Sequence, residues 1–116
     1  MIIIRAARED DIVRLAQIGL RAWEKATSEI GMTDTLRENA RQAFANFTHS
    51  SWLSIRVAEL DGVVVGWTAR ENFDDTITDF WVDPSAERQG VGAALLADME
   101  DQLRLQKYEV AKLESH

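Results

Sequence analysis

The chain has 116 residues, 46% hydrophobic and 28% charged, which suits one globular domain over residues 1–116 and carries no bias toward disorder. Thirteen basic side chains against twenty acidic ones give a net charge of −7, the wrong sign for a nucleic-acid partner. With no cysteine and only His49 and His116 as imidazoles, disulfides, thiol catalysis and a histidine metal site drop out, and a reducing, cytoplasmic compartment is expected.

The chain opens on Ile2-Ile3-Ile4-Arg5-Ala6, a short strand signal. Arg5 and the acids Glu9, Asp10 and Asp11 follow too soon for a secretory leader, and no later run has the apolar length of a membrane span, so neither a leader nor a membrane partner is expected. From Asp11 the residues Ile12, Leu15, Ala16, Gly19 and Trp23 recur at helical spacing, predicting a first helix that fades between Ser28 and Gly31. A second helix is predicted from about Thr35 to His49-Ser50. Glu38 would complete its capping box, and Leu36, Ala40, Phe44 and Phe47 would be buried.

Residues 51–59 and 60–69 read as strands, with Asp61-Gly62 as a strong hairpin signal between them. Residues 76–82 make a third antiparallel candidate that ends at Asp83-Pro84, since proline cannot continue a central ladder. Beyond the next glycines, Val91, Leu95, Leu96, Met99 and Leu103 trace one face of a helix running to about Lys107, and residues 108–113 alternate as one more strand. The predicted order is strand, two helices, three meandering strands, helix, strand. That is a mixed α/β layer with a largely antiparallel sheet flanked by helices.

The stretch VDPSAERQGVGAALL, residues 82–96, places two of the six glycines and the one proline where a strand gives way to a helix. The first amides of a helix are unpaired and sit at the positive end of its dipole, an arrangement suited to phosphate. Gly90 and Gly92 remove side chains where a ligand would approach the backbone, and glycine tolerates the dihedrals of an anion nest. Arg88 and Gln89 could add a charge and a donor. A P-loop would need Lys and then Ser or Thr where Ala93-Ala94 stand, and a dinucleotide fingerprint would need its third glycine at Leu95 within a parallel βαβ unit. A tight turn without a ligand is the remaining alternative.

Glu87-Arg88-Gln89-Gly90-Val91-Gly92, preceded by Phe80-Trp81-Val82-Asp83-Pro84 and followed by Ala93-Ala94-Leu95-Leu96, resembles the acyl-CoA-binding signature Q/R-x-x-G-x-G/A of the GNAT superfamily of N-acetyltransferases. The order of elements agrees over nearly the whole chain. The resemblance implies an acetyl-CoA site in which backbone amides of Glu87, Arg88, Gln89, Gly90, Val91, Gly92 and Ala93 cradle the pyrophosphate. It also implies that the strand backbone at Phe80, Trp81 and Val82 pairs with the pantetheine arm. Glu87 departs from the signature, because its negative charge stands where Gln or Arg is usual. The chain also ends at or just after the fifth strand of the family pattern, so the usual tyrosine helix and closing strands are expected to be missing. An edge exposed near residues 109–114 would then favour a homodimer.

Acetyl transfer to an amine needs positioning, an oxyanion stabiliser and a base. Asp79, in an apolar strand on the same face as Ile77 and Trp81, is the candidate base, its pKa raised if it is buried beside Trp81; it could instead pair with an arginine or face a wet edge. Glu71, Asp74 and Asp75 read as a solvated turn. Trp23 and Trp52 suit the core, and Trp67 suits either the core or an acceptor pocket. The expected activity is acetylation of an unspecified primary amine on a small molecule or protein. A catalytically silent CoA-binding or regulatory module is the alternative.

Overall fold

Three helices and four strands alternate in the order β1, α1, α2, β2, β3, β4, α3, in a computed structural model that describes residues 1–28, 31, 33–70 and 77–114. The mixed, largely antiparallel fold class expected from sequence is borne out. β1 (Ile2–Ala6), β2 (Ile55–Leu60), β3 (Val63–Arg70) and β4 (Ile77–Val82) form one antiparallel sheet in that spatial order. The β2–β3 hairpin closes through Asp61 (φ 52°) and Gly62 (φ 88°), the paired left-handed conformation that Asp-Gly adopts readily.

α1 (Ile12–Thr27) and α2 (Asp34–Ser51) cover one face of the sheet and α3 (Val91–Glu114) the other. Under α1 and α2 lie Leu15, Ile18, Phe44, Ile55, Val57, Trp67 and Ala69. Under α3 lie Ala58, Val65, Ala86, Val91 and Leu95. Trp67 is fully buried, and its Nε1 donates to Leu15 O at 2.9 Å. It belongs to the core and lines no acceptor pocket. Trp23 packs against the same cluster. Two glycines set helix positions: a Cβ on Gly19 would lie 2.6 Å from the Phe44 ring, and one on Gly66 would lie 3.1 Å from Val91, Leu95 and the Trp81 carbonyl. α1 therefore meets α2 closer than a side chain at Gly19 permits without a shift, and α3 meets the sheet so tightly at Gly66 that its neighbours would have to give way to a Cβ.

Four details differ from the sequence reading. The α2 cap is Thr33, whose Oγ1 accepts from Leu36 N at 3.1 Å, so Glu38 takes no part in a capping box. Leu36 is exposed, because it lies on the first turn before α2 reaches the sheet, and Leu96 is also substantially exposed. Residues 51–54 finish α2 and make a single 3-10 turn, Trp52–Ser54, before β2 begins. Residues 108–113, expected as a strand, continue α3: with no glycine or proline after Gly92 and good helix formers such as Ala111, Lys112 and Leu113, nothing stops the helix. These residues offer no sheet edge, and the homodimer expected through them loses its basis. Among the described residues the free edges of the sheet are β1 and β4.

Arg5 joins β1 to the start of α1. Its guanidinium donates to Asp11 at 2.8 and 3.1 Å and also to Glu59 on β2. Asp11 accepts the Arg8 amide as well, at 2.8 Å. The Arg5 hydrogen bonds, outweighing burial, hold the Asp11 carboxyl below the usual carboxylate range.

Candidate ligand site at the junction of β4 and α3

β4 runs into Asp83 and a 3-10 turn at Pro84–Ala86, and the chain then reverses into α3. Arg88 (φ 64°) and Gly90 (φ 85°) are both left-handed in that turn. For Gly90 this explains the residue, since an L side chain there costs about 1–2 kcal/mol. Gly92 is helical, and a Cβ on it would rest in ordinary contact, 3.8 Å from the Phe80 ring.

The turn leaves its amides open. The Glu87 amide donates to Pro84 O at 3.5 Å, and the first helical bond of α3 is Ala94 N to Gly90 O at 3.0 Å. Between them, the amides of residues 88–93 have no protein acceptor among the described residues. Six consecutive free N–H groups at the start of a 24-residue helix form an electropositive nest. Of the predicted side chains, Val91 is buried against the sheet and contributes its backbone alone. Gln89 turns its Nε2 back to Ser85 O at 3.4 Å, so its side chain ties the loop together.

β4 is the sheet edge beside this nest, and its register decides which groups it presents. Asp83 N donates to Val65 O at 2.7 Å, and Trp81 and Asp79 oppose Trp67 and Ala69. In an antiparallel ladder the bonded residues alternate, so Trp81 and Asp79 bond to β3, while Phe80 and Val82 turn N–H and C=O to the open edge; the register shift at Thr78 ends the alternation there. Of the three residues expected to pair with a ligand arm, Phe80 and Val82 thus offer backbone groups and Trp81 does not. The Trp81 side chain meets Phe44 edge-on, with ring centroids 5.2 Å apart, on the α1–α2 face. Asp79 shares that face and accepts from Trp81 Nε1 at 3.0 Å on Oδ1. It is half-buried, and its Oδ2 has no hydrogen-bond partner among the described residues.

The sequence reading missed the electrostatics around the turn. Asp83 is 1% exposed and meets Arg21 Nε at 3.2 Å and Arg14 Nη2 at 3.6 Å, while Ser85 Oγ donates to its Oδ2 at 2.6 Å. Lys25 Nζ pairs with Glu87 at 2.5 Å. Arg14, Arg21 and Lys25 are spaced seven and four apart, one stripe of α1, and that spacing was the available signal. With Arg88 they make four cations against the two acids Asp83 and Glu87, a positive corner on an acidic protein. Among the described residues no group of three or more His, Asp or Glu could hold a metal ion, and no helix is long and apolar enough to cross a membrane.

A three-layer fold in which the edge strand β4 runs toward the free amides of residues 88–93 is the frame in which the comparisons with known proteins fall. The model of the acetyltransferase (GNAT) family matches residues 12–116, and the chain belongs to that family. A search of curated proteins returns no match. Solved structures with this fold include PaiA N-acetyltransferase from Thermoplasma acidophilum in complex with coenzyme A, at 17% identity and a TM-score of 0.76, covering 92% of this chain and 74% of that one. A GCN5-related N-acetyltransferase from Rhodopseudomonas palustris matches at 22% identity and a TM-score of 0.75, covering 90% and 67%. The ribosomal-protein-S18-alanine N-acetyltransferase from Escherichia coli matches at 20% identity and a TM-score of 0.59, covering 91% and 61%. The chain thus spans between 61% and 74% of the lengths of these three relatives.

Proposed function

We propose that the chain binds acetyl-CoA and transfers its acetyl group to a primary amine of a small molecule or protein, in a ternary complex. The observation that carries this reading is the run of free amides at 88–93 beside the open row of β4. The amides suit the pyrophosphate, and Phe80 and Val82 suit the amide groups of the pantetheine arm. Two neighbours of the same fold are described as complexes with coenzyme A, which supports the same ligand here. The cysteine-free sequence suits a cytoplasmic setting.

In this reading the sheet separates the two substrates. The nucleotide lies at the α3 end, and the amine approaches Asp79 from the α1–α2 side. The amine nitrogen attacks the thioester carbon, and its surplus proton passes to Asp79 Oδ2, directly or through one water. An outward N–H of β4 stabilises the oxyanion. The C–S bond then breaks, and the thiolate takes a proton from solvent.

Calorimetric titration of acetyl-CoA, with desulfo-CoA as control, tests the site. Binding near one equivalent is expected for the unaltered chain and none for Gly90→Asp with Gly92→Asp, where two carboxylates meet the pyrophosphate. Equal affinity in that double variant refutes the assignment. A catalytically silent CoA-binding module is the second reading, favoured by the indole already bonded to Asp79. CoA binding without transfer to any amine in a broad panel would mark it.

A further inference from the structure

Glu87 sits at the signature position where a neutral or cationic side chain is usual, and it does not stand alone. Lys25, 62 positions earlier in the chain, reaches it from α1 with Nζ 2.5 Å from the carboxylate. Both side chains are substantially exposed, so the pair is not a buried device for stability; exposed pairs of this kind contribute little to folding. α1 is already fixed to the same loop by Arg14 and Arg21 on Asp83. Lys25 therefore extends from a helix tied to the loop that carries the free amides, and its ammonium ends beside Glu87, the residue just before the first of them.

We propose that Lys25 is a phosphate-binding residue of this site, held by Glu87 while the nest is empty and transferred to the pyrophosphate when it fills. The proposal rests on the reading of residues 88–93 as the CoA pyrophosphate site. It explains how an acidic residue is tolerated at the first signature position: the missing charge is supplied from α1, on a flexible four-carbon stem that suits a point-charge contact. Glu87 then has two effects. It neutralises Lys25 in the free protein, and it competes with the ligand for it.

The test is a four-member cycle of the full chain, Lys25→Met, Glu87→Gln, both together, and the unaltered protein, each titrated with CoA and separately with inorganic pyrophosphate. Thermal unfolding confirms that all four are folded. Lys25→Met is expected to weaken both probes about fivefold, the effect of one unit charge at a solvated phosphate, both in the unaltered protein and in the Glu87→Gln background. Glu87→Gln alone is expected to tighten both, because the competitor is gone, and Lys25→Arg should retain binding. If Lys25→Met changes nothing in the Glu87→Gln background, Lys25 only neutralises its neighbour and the proposal falls. Equal affinities across all four variants also overturn it, while leaving the CoA site intact. If none of the four binds either probe, the nest holds no anion and both the site and the role of Lys25 are refuted.

Discussion

Gly90 and Gly92 stand two residues apart in one loop, yet their replacement by alanine should change stability in opposite directions. At Gly90 the backbone is left-handed, φ 85°, and a new Cβ would meet only the Ile2 side chain, at 3.7 Å. The penalty is conformational: about 1–2 kcal/mol for an L residue in that region, partly offset because alanine also restricts the unfolded chain. A net loss of about 1 kcal/mol follows. At Gly92 the backbone is helical and the new methyl would sit 3.8 Å from Phe80, in ordinary contact. There alanine gains from helix propensity, by about 0.5 kcal/mol in a first turn. Unfolding entropy of about 2.1 cal/mol/K per residue makes 1 kcal/mol worth roughly 4 °C for a chain of this size. Thermal unfolding should therefore place Gly90→Ala about 4 °C below the parent and Gly92→Ala about 2 °C above it. CoA affinity should fall in Gly90→Ala, where the amides shift, and persist in Gly92→Ala, as a signature that accepts Gly or Ala there requires. A destabilised Gly92→Ala, or a Gly90→Ala as stable as the parent, would refute this account of the turn.

Gly19→Ala should be among the most damaging single-methyl additions, since its Cβ would lie 2.6 Å from the Phe44 ring. A loss of about 1–3 kcal/mol is expected, read as a lower denaturant midpoint with an unchanged slope. Asp11, held below the ordinary carboxylate range by Arg5, contributes stability above that range and loses it as pH falls through its folded value. Asp11→Asn should thus cost most near pH 7, with the gap to the parent closing below about pH 4 in denaturation titrations. A gap independent of pH would show that the ion pair is not its source. Asp79→Asn should lower turnover while leaving the affinity for CoA unchanged; undiminished acetylation across the pH range would remove Asp79 from the mechanism.

What the sequence made legible is what short-range pattern encodes. Asp61-Gly62 announced the hairpin because only a few residue pairs adopt two successive left-handed conformations cheaply. Pro84 marked the end of β4, and Gly90 marked the left-handed turn that leads into α3. Residues 108–113 misled because their apolar spacing fits a two-residue period while their helix propensities, carried on from a helix already under way, decide the outcome. Trp52 sat in a run that looked like a strand, but α2 uses residues up to Ser51. The ion pairs of Arg14, Arg21 and Lys25 with Asp83 and Glu87 join positions some sixty residues apart, and nothing in local pattern specifies such a partner. The alternation along β4 that turns Phe80 and Val82 outward, and Trp81 inward, depends on a register that the β3 partner fixes.

The open row of β4 also bears on how the protein behaves in a tube. Unpaired strand groups do not discriminate between a ligand's amides and another polypeptide's backbone. The half-buried carboxylate of Asp79 is the only charge along this short strand, a modest deterrent against a neighbouring chain. A sample kept free of small molecules should therefore be the one that clouds on concentration, and an excess of CoA during purification should act as a preservative.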